Sequence, residues 1–305
     1  MAIYCIGDIR ADVFINLKDY VVSTSNVSLG GTVANFSVVS RKLGQDIKLV
    51  GTAANDAVGD FLTEELSSFG IDVSYVTRTR AGMNSILMAI NNGNLLGYRM
   101  MEVPRVRYDG LGDIDFSVIN PVEGDVVHTS GGCIPEDDDG TADLVAFVKR
   151  AKACGACISF DLNMRMNDFG TSEKRMGFIR EIADTADFLF GAKDEFEALA
   201  DEKNYETAAR KYKNGCRTVV CRNEADDIFY IEPDDEGFVK VNPVKVVNPN
   251  GAGDTFDASF IFARTKGYPV RKCVEFASYV AGYMISSTVS RDVPDISACM
   301  EFLYN

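Results

Sequence analysis

The sequence predicts an α/β protein in which helices cover both faces of a mostly parallel sheet, with a small accessory sheet. Short apolar runs alternate with segments of helical apolar spacing along the 305 residues, a pattern typical of βαβ units. Two segments, about 12–30 and 84–104, instead read as extended chain or as a hairpin around Asn92-Gly93, a residue pair suited to a tight primed turn. Because we find no internal repeat or linker, we expect one domain over residues 1–305, with these two segments as insertions that form the accessory sheet.

The individual elements follow in a regular order. The predicted strands lie in "IYCIGD", "IKLVGTA", "DVVHTS", "CISFDLN" and "DFLF", and the predicted helices span 32–43, 58–69, 142–153 and 179–186. A further strand-like run, Val244 to Val247, comes before an apolar segment of helical spacing that starts near Phe256. Strands that alternate with helices in this way indicate crossover connections within one parallel sheet.

The composition limits the classes of partner. The formal net charge is −14 and no cluster of Lys or Arg offsets it locally, which argues against nucleic acid and membrane surfaces because both are polyanionic. No uninterrupted apolar stretch reaches the length of a membrane span, and residues 1–8 lack a signal-peptide pattern. We therefore expect a cytoplasmic protein that binds small solutes.

Cysteine and histidine are not expected to carry the chemistry. Several of the eight cysteines lie in or beside apolar strand-like runs, where a reduced thiol behaves as a small hydrophobe. The pair Cys154 and Cys157 has redox or half-zinc spacing but no second pair or histidine partner. The only histidine, His128, follows an apolar run, and we expect it to be structural.

The stretch "NPNGAGD", Asn248 to Asp254, combines small residues with one carboxylate before the apolar helical segment. Glycines before a helix let backbone N–H groups converge on an anion, and the helix dipole favours negative charge there. A carboxylate repels a phosphate, so Asp254 makes sense as the base that accepts a proton from an attacking hydroxyl. The residues alone leave open a plain turn in which Asp254 caps the helix.

Four other segments favour the catalytic interpretation of Asp254 over the plain turn. They are "GDIRAD" at 7–12, "GGTVAN" at 30–35, "GTAANDAVG" at 51–59 and "DLNMR" at 161–165. Together with "NPNGAGD", and in this order, the chain resembles the ribokinase-like carbohydrate kinase family over nearly its whole length. The resemblance implies a ribokinase-like three-layer α/β/α core with a small β-sheet lid, and ATP-dependent phosphorylation of a sugar hydroxyl with Mg²⁺.

The resemblance also implies roles for individual residues. Asp254 would be the catalytic base, and we expect its carboxylate to be ionised at the helix N-terminus. The anion hole would be formed by Gly251, Ala252 and Gly253, and the sugar would be held by Asp12, Gly30, Gly31 and Asn35. Carboxylate acceptors, amides and glycines that permit close approach also suit a neutral sugar on chemical grounds.

The nucleotide half departs from the family pattern. Where the family carries N-x-x-E, this chain has Ala192 and Glu195, which leaves Glu195 as an indirect contributor to magnesium and phosphate binding. The usual T-x-G loop is replaced by "CRNEADD", with Asn223 as its candidate nucleotide contact. Asn248 stands where an aspartate is usual, and no glycine occurs near Arg291, so we do not expect activation by a monovalent cation.

The lid sequence suggests the acceptor. Arg99, in "GYRMMEV", and Arg165 resemble family members that act on fructose or 2-keto-3-deoxygluconate, because two guanidinium groups can pair with a carboxylate or hold several hydroxyls. We expect a ketose or sugar acid. The alternatives are a nucleoside kinase of the same family or a catalytically weak sugar-binding protein on a kinase scaffold. Both faces of "SILMAI", 85–90, are apolar, which predicts a homodimer through the lid.

Overall fold

Two β-sheets organise the computed structural model of the chain. The structure describes residues 1–18, 21–79, 84, 86–91, 96–101, 111–134, 140–166, 171–215, 217–223, 227–289 and 291–305. The strands are β1 (Ile3–Ile6), β2 (Arg10–Lys18), β3 (Val21–Gly30), β4 (Ile47–Ala54), β5 (Asp72–Thr79), β6 (Ile86–Asn91), β7 (Leu96–Met101), β8 (Val126–Ser130), β9 (Cys157–Asp161), β10 (Phe188–Ala192), β11 (Thr218–Arg222), β12 (Ile228–Glu232) and β13 (Asp235–Val239). The helices are α1 (Thr32–Lys42), α2 (Ala57–Ser68), α3 (Gly140–Ala153), α4 (Glu173–Thr185), α5 (Lys193–Ala200), α6 (Tyr205–Lys211), α7 (Ala252–Thr265), α8 (Val270–Ser286) and α9 (Ile296–Tyr304), with 3₁₀ turns at Phe116–Val118 and Gly131–Cys133.

The large sheet has the strand order β13-β12-β11-β10-β9-β8-β1-β4-β5. All neighbours from β11 to β5 are parallel, and only β12 and β13 join antiparallel. From β1 the chain winds outward through β4 and β5, then returns to β8 and winds the other way. The carboxyl ends of the parallel strands therefore meet at one edge, and an open α/β sheet binds ligands beside such a reversal of strand order.

Helices cover both faces of this sheet, as the alternating pattern predicts. One face packs against α1, α2, α7, α8 and α9, and the other packs against α3, α4, α5 and α6. Each helix layer buries its apolar residues against the sheet, which is how an α/β fold stabilises both faces. The predicted α/β layering is confirmed.

The accessory sheet is also present, with the order β3-β2-β6-β7. It is built from the two segments that break the alternation: β2 and β3 form one antiparallel pair, and β6 and β7 form the other. The two pairs join through parallel pairing of β2 with β6. The turn predicted at Asn92-Gly93 lies outside the described residues, and the division into one domain with two insertions stays a prediction.

The strand predicted at Val244 to Val247 is wrong. The structure has neither strand nor helix in residues 240–250; the sheet ends at β13, and this run does not pair with it. Instead the N–H groups of Val247 and Asn248 both donate to the carbonyl of Ile285, at 2.7 and 3.1 Å. The segment before α7 is therefore an irregular connection held by the end of α8.

The single histidine and the cysteines have structural surroundings, as expected. The His128 ring is fully buried and stacks on Phe36 with centroids 3.8 Å apart, and its Nδ1 lies 2.9 Å from Ser159 Oγ. Burial lowers the pKa of His128 to about 3, so the ring is neutral. The cysteines in the described part of the chain, Cys154 and Cys157 included, are free thiols. Among the described helices, none is both long and apolar enough to cross a membrane.

Arg175 on α4 binds the segments that follow β8 and β9 at the carboxyl edge of the large sheet. Its buried guanidinium donates to the carbonyls of Ile134, Met164 and Gly131 at 2.6, 2.5 and 3.1 Å. Arg175→Met should lower the free energy of unfolding by roughly 3 kcal/mol, because these buried carbonyls lose their donors. Urea denaturation followed by circular dichroism measures the loss.

The matched control is Arg180→Met on the same helix. Arg180 forms an ion pair with the exposed Glu173, and exposed pairs contribute about 0–1 kcal/mol. Equal losses from the two substitutions would show that the three carbonyl contacts do not stabilise the fold.

Candidate active site

A cleft of about 590 Å³ opens at the carboxyl edge of the large sheet. Polar lining residues come from the ends of β9 and β11, the segments after β9 and β10, and the start of α7, and most of the apolar lining comes from β12, α8 and the segment after β13. The polar lining includes Asp161, Asn163, Arg165, Glu195, Arg222 and Asp254, and the apolar lining includes Ile228, Val241, Val244, Ala281 and Ile285. Such a division suits a ligand with a charged end and an apolar end.

The start of α7 lies in the wall of this cleft. Gly251 is the N-cap residue with φ +83°, a left-handed conformation that glycine adopts without strain. The N–H of Ala252 donates to the carbonyl of Pro249 at 3.2 Å. The N–H groups of Gly253 and Asp254 belong to the first helical turn, which leaves them without intrahelical acceptors. The helix thus presents donors and its positive dipole end to the cleft.

Asp254 is buried, with 7% of its surface exposed, and its Oδ2 accepts a hydrogen bond from Asn35 Nδ2 at 2.8 Å. Burial raises the pKa of Asp254 to about 7, and the nearby Asp161 adds to the rise. We expected an ionised carboxylate, but a pKa of about 7 leaves Asp254 only partly ionised near neutral pH, because desolvation outweighs the helix terminus. A carboxyl group with a pKa near the working pH suits proton transfer.

Asn35 is fixed from two sides. Arg291 Nη1 donates to Asn35 Oδ1 at 3.1 Å and also to the carbonyl of Leu29. Because the amide oxygen faces Arg291, the amide nitrogen must face Asp254. The sequence predicted Asn35 as a sugar contact, and the structure additionally shows it holding Asp254.

Asp12 lies on β2 of the accessory sheet, which corresponds to the lid predicted above, and is 2% exposed. Its Oδ2 accepts from Asn250 Nδ2 at 3.0 Å, and its Oδ1 is 3.5 Å from Arg10 Nε. Burial raises the pKa of this carboxyl. A Cβ atom at Gly30 would stand 2.2 Å from Asp12 Oδ1, and one at Gly31 would stand 2.3 Å from the carbonyl oxygen of Asp8. Both glycines are therefore required by close approach.

Arg165 and Asn163 follow β9 and line the cleft with positive φ angles of 46° and 27°. The Arg165 charge lowers the pKa of Asp254, against the larger rise that burial causes. In the lid, Leu87 of β6 lines the same cleft. The side chain of Arg99 lies outside the described part of the structure; its backbone belongs to β7, opposite Met88.

Glu195 is bound by backbone groups at both oxygens. Oε1 accepts the N–H of Met164 at 2.5 Å, and Oε2 accepts the N–H of Ala192 at 2.8 Å. Burial, together with Asp161, raises the pKa of Glu195 to about 7. Asn223 follows β11 and is half-buried, but it is outside the lining of the cleft.

Sequence reasoning missed three side chains at this site. Arg222 pairs with Asp161 through Nη2 at 2.5 Å and with Asp257 through Nη1 at 3.0 Å. Asn250 and Arg291 hold Asp12 and Asn35. The segments "CRNEADD" and "NPNGAGD" and the position of Arg291 were noted only as matches to or departures from a pattern. Their roles depend on partners far away in the chain, which local spacing does not reveal.

Comparisons with known proteins give matches over nearly the whole chain. A family model described as pfkB family carbohydrate kinase matches residues 2–296. The 5-dehydro-2-deoxygluconokinase of Clostridium perfringens is 26% identical over 290 residues, which cover 91% of this chain and 84% of that protein.

Two solved structures show the same fold. Fructokinase with bound ATP from Xylella fastidiosa has a TM-score of 0.83 and 18% identity, with 99% of this chain and 98% of that chain covered. Aminoimidazole riboside kinase from Salmonella enterica, complexed with aminoimidazole riboside and an ATP analog, has a TM-score of 0.82 and 20% identity over 100% of both chains.

The raised pKa of Asp254 predicts a pH-dependent stability. The folded pKa of about 7 lies above the ordinary value of 3.8, so the folded state keeps a proton that the unfolded chain releases. Ionising Asp254 therefore destabilises the folded state progressively from about pH 4, and fully above pH 7. Asp254→Asn avoids this penalty, and its gain in unfolding free energy should be larger at pH 8 than at pH 5 by roughly 2 kcal/mol.

Urea titrations of parent and variant at the two pH values measure this difference. Asp60→Asn, on the exposed surface of α2, is the control and should show no comparable change. A gain from Asp254→Asn that is equal at pH 5 and pH 8 would contradict the raised pKa.

Proposed function

The chain belongs to the pfkB family of carbohydrate kinases, and from this premise we propose that it transfers the γ-phosphoryl group of ATP to a hydroxyl of a sugar acid. The observation that carries the proposal is the position of Asp254, a buried carboxyl with a pKa of about 7, on the first turn of α7 in the wall of the cleft. A proton acceptor and an anion-binding helix terminus thus face the same space.

In the proposed reaction the acceptor hydroxyl attacks the γ-phosphorus and its proton passes to Asp254. The bond between the γ-phosphorus and the bridging oxygen breaks, and ADP leaves with the electron pair. The N–H groups of Gly253 and Asp254 would hold the transferring group, because donors aimed at developing charge lower the barrier. Of the anion hole predicted at Gly251, Ala252 and Gly253, the Ala252 N–H already donates to Pro249 and is the least available.

ATP would place its base at the apolar end of the cleft and its phosphates at α7. Mg²⁺ in such sites is bound mainly by nucleotide phosphates and water, and it would supply positive charge to the phosphates. This fits the residues present: in the described part of the chain, no three His, Cys, Asp or Glu side chains are grouped to hold a metal. Since both oxygens of Glu195 already accept backbone N–H groups, we assign it an indirect role through water.

We narrow the expected class of acceptor, a ketose or a sugar acid, to a sugar acid. Arg165 lines the polar end of the cleft, where its guanidinium suits a carboxylate. The relative from Clostridium perfringens is named for 5-dehydro-2-deoxygluconate, which is such an acid. Asp12 and Asn35 would bind its hydroxyls, and Arg99 stays a predicted second cation.

The reaction is tested by ADP release with Mg²⁺ and ATP across four acceptors: 5-dehydro-2-deoxygluconate, 2-keto-3-deoxygluconate, fructose and a nucleoside. We expect the highest kcat/KM for a sugar acid. It should rise with pH through about 7, because Asp254 must lose its proton to act as a base. Asp254→Asn should lower kcat by roughly 10²–10⁴.

Two outcomes would contradict this reading. A kcat for Asp254→Asn within about threefold of the parent would remove Asp254 from the reaction. A parent that binds sugar acid but releases no ADP would instead be the sugar-binding protein on a kinase scaffold.

Arg165→Met tests the acceptor's charge. It should raise KM for the sugar acid by roughly 10- to 100-fold, the value of a charge-assisted hydrogen bond. KM for ATP should stay within about twofold of the parent value. KM for an uncharged acceptor should rise much less than KM for the sugar acid. Arg180→Met is the remote control. Equal increases in KM for charged and uncharged acceptors would contradict the assignment.

We also propose a homodimer through the lid. Strand alternation and register place Val13, Val27 and Met88 on one face of the small sheet, and Asp12 and the cleft-lining Leu87 on the other. Val27 is 54% exposed. A sheet face that meets water usually carries polar residues, so this apolar face fits a second copy of the chain.

Val27→Lys should convert the dimer to monomer at micromolar concentration, because the charge would be buried without a partner. Val21→Lys, on the same strand but on the other face by register, is the matched control. Sedimentation velocity measures both. A monomeric parent, with or without ligands, would overturn the dimer.

A further inference from the structure

Arg222 is an arginine whose role lies outside the family motifs of this chain. It ends β11 at the carboxyl edge of the sheet, and its side chain lines the cleft with 18% of its surface exposed. Its two carboxylate partners, Asp161 and Asp257, have side chains only 2% and 0% exposed. The two ion pairs hold the guanidinium in one orientation at the cleft wall.

This guanidinium lies directly against the first turn of α7. A Cβ atom at Gly253 would stand 2.9 Å from Arg222 Nη1 and 3.6 Å from Nη2. The absence of a side chain at Gly253 is therefore what lets the positive charge approach the helix N-terminus. A formal charge and the free N–H groups of the helix are brought to the same place, and each favours an anion.

The guanidinium keeps donors for a ligand. Arginine carries five N–H donors in a planar fork, and the bonds to Asp161 and Asp257 use one on each terminal nitrogen. The remaining donors suit phosphate oxygens, which the fork can bind in pairs.

The two carboxylate partners also keep the guanidinium protonated. Burial lowers the pKa of Arg222, but the charges of Asp161 and Asp257 raise it more, so the net change is upward.

We infer that Arg222 is a catalytic residue that contacts the transferring phosphoryl group of the donor nucleotide. As the bond from the γ-phosphorus to the bridging oxygen breaks and the bond to the acceptor oxygen forms, negative charge spreads over the phosphoryl oxygens beside Gly253. Arg222 stabilises that charge together with the N–H groups of the helix, while the proton of the acceptor goes to Asp254. The inference rests on the proposed function.

The test uses the double variant Arg222→Met/Asp257→Asn, which keeps the net charge and neutralises one of the two buried carboxyl groups that Arg222 pairs with. Because Asp161 loses its partner in this variant, Arg222→Lys, which keeps a positive charge beside Asp161, is measured with it. Arg78→Met/Asp60→Asn, which removes the ion pair between α2 and β5, makes the same substitutions at the protein surface and is the matched control. Isothermal titration with ATP and with AMP, each with Mg²⁺, separates the phosphoryl contact from the base contacts.

We expect ATP affinity to fall by at least about tenfold in the Arg222 double variant, with AMP affinity within twofold of the parent. Turnover should fall at least about 100-fold, the loss typical of one donor to a developing charge. Added methylguanidinium should restore part of the turnover, and equal NaCl should not. The control variant should match the parent throughout.

The contrary results point to different failures. If the parent binds ATP and the double variant binds ATP and turns over as the parent does, or loses ATP and AMP affinity equally, Arg222 is only structural and the kinase proposal stands. If the parent binds neither nucleotide, both proposals are overturned. If the double variant does not fold, Arg222→Lys replaces it, because lysine keeps the charge but lacks the planar set of guanidinium donors. The inference then requires that folded Arg222→Lys loses turnover. Unchanged turnover in this variant contradicts the inference.

Discussion

The burial of five carboxyl groups at one edge of the large sheet is the constraint on which the rest of the site depends. Asp8, Asp12, Asp161, Asp254 and Asp257 are each at most 7% exposed, and buried charges are costly unless they are paired. Two arginines each bridge two of them: Arg10 contacts Asp8 and Asp12, and Arg222 contacts Asp161 and Asp257. Asp254 is held by the amide of Asn35 instead. Burial raises the pKa of this carboxyl to about 7, and the Asn35 hydrogen bond only partly opposes that rise.

The fold brings these groups together because parallel strands place their carboxyl ends at a common edge. Asp8 follows β1, Asp161 ends β9 and Arg222 ends β11, so residues far apart in the sequence share one edge of the sheet. The start of α7 then completes the cluster, and glycine is needed where backbone meets side chain. At Gly253 a Cβ would collide with Arg222, and at Gly30 one would collide with Asp12. The backbone can therefore approach these paired charged side chains only where the residue is glycine.

Much of the fold could be predicted from the sequence because it is encoded locally. The alternation of apolar runs predicts the α/β layers, and five motifs in order predict the family, which the match over residues 2–296 confirms. The failures have physical causes. The run Val244 to Val247 has the composition of a strand, but the sheet ends before it at β13. The ionisation of Asp254 was judged from the helix terminus alone, whereas burial by the surrounding fold decides its pKa. Arg222 and Arg291 were missed because their partners lie far away in sequence.

The loop after β9 is held by hydrogen bonds to the backbone of Met164. Glu195 accepts the N–H of Met164 and also the N–H of Ala192 at the end of β10. On its other side, the carbonyl of Met164 accepts from Arg175. Met164 is therefore fixed at both backbone groups, between two residues with positive φ, Asn163 and Arg165. Non-glycine residues adopt such angles only when their surroundings hold them there. Glu195 and Arg175 provide that support, and the start of α5 thereby positions the guanidinium that faces the proposed acceptor.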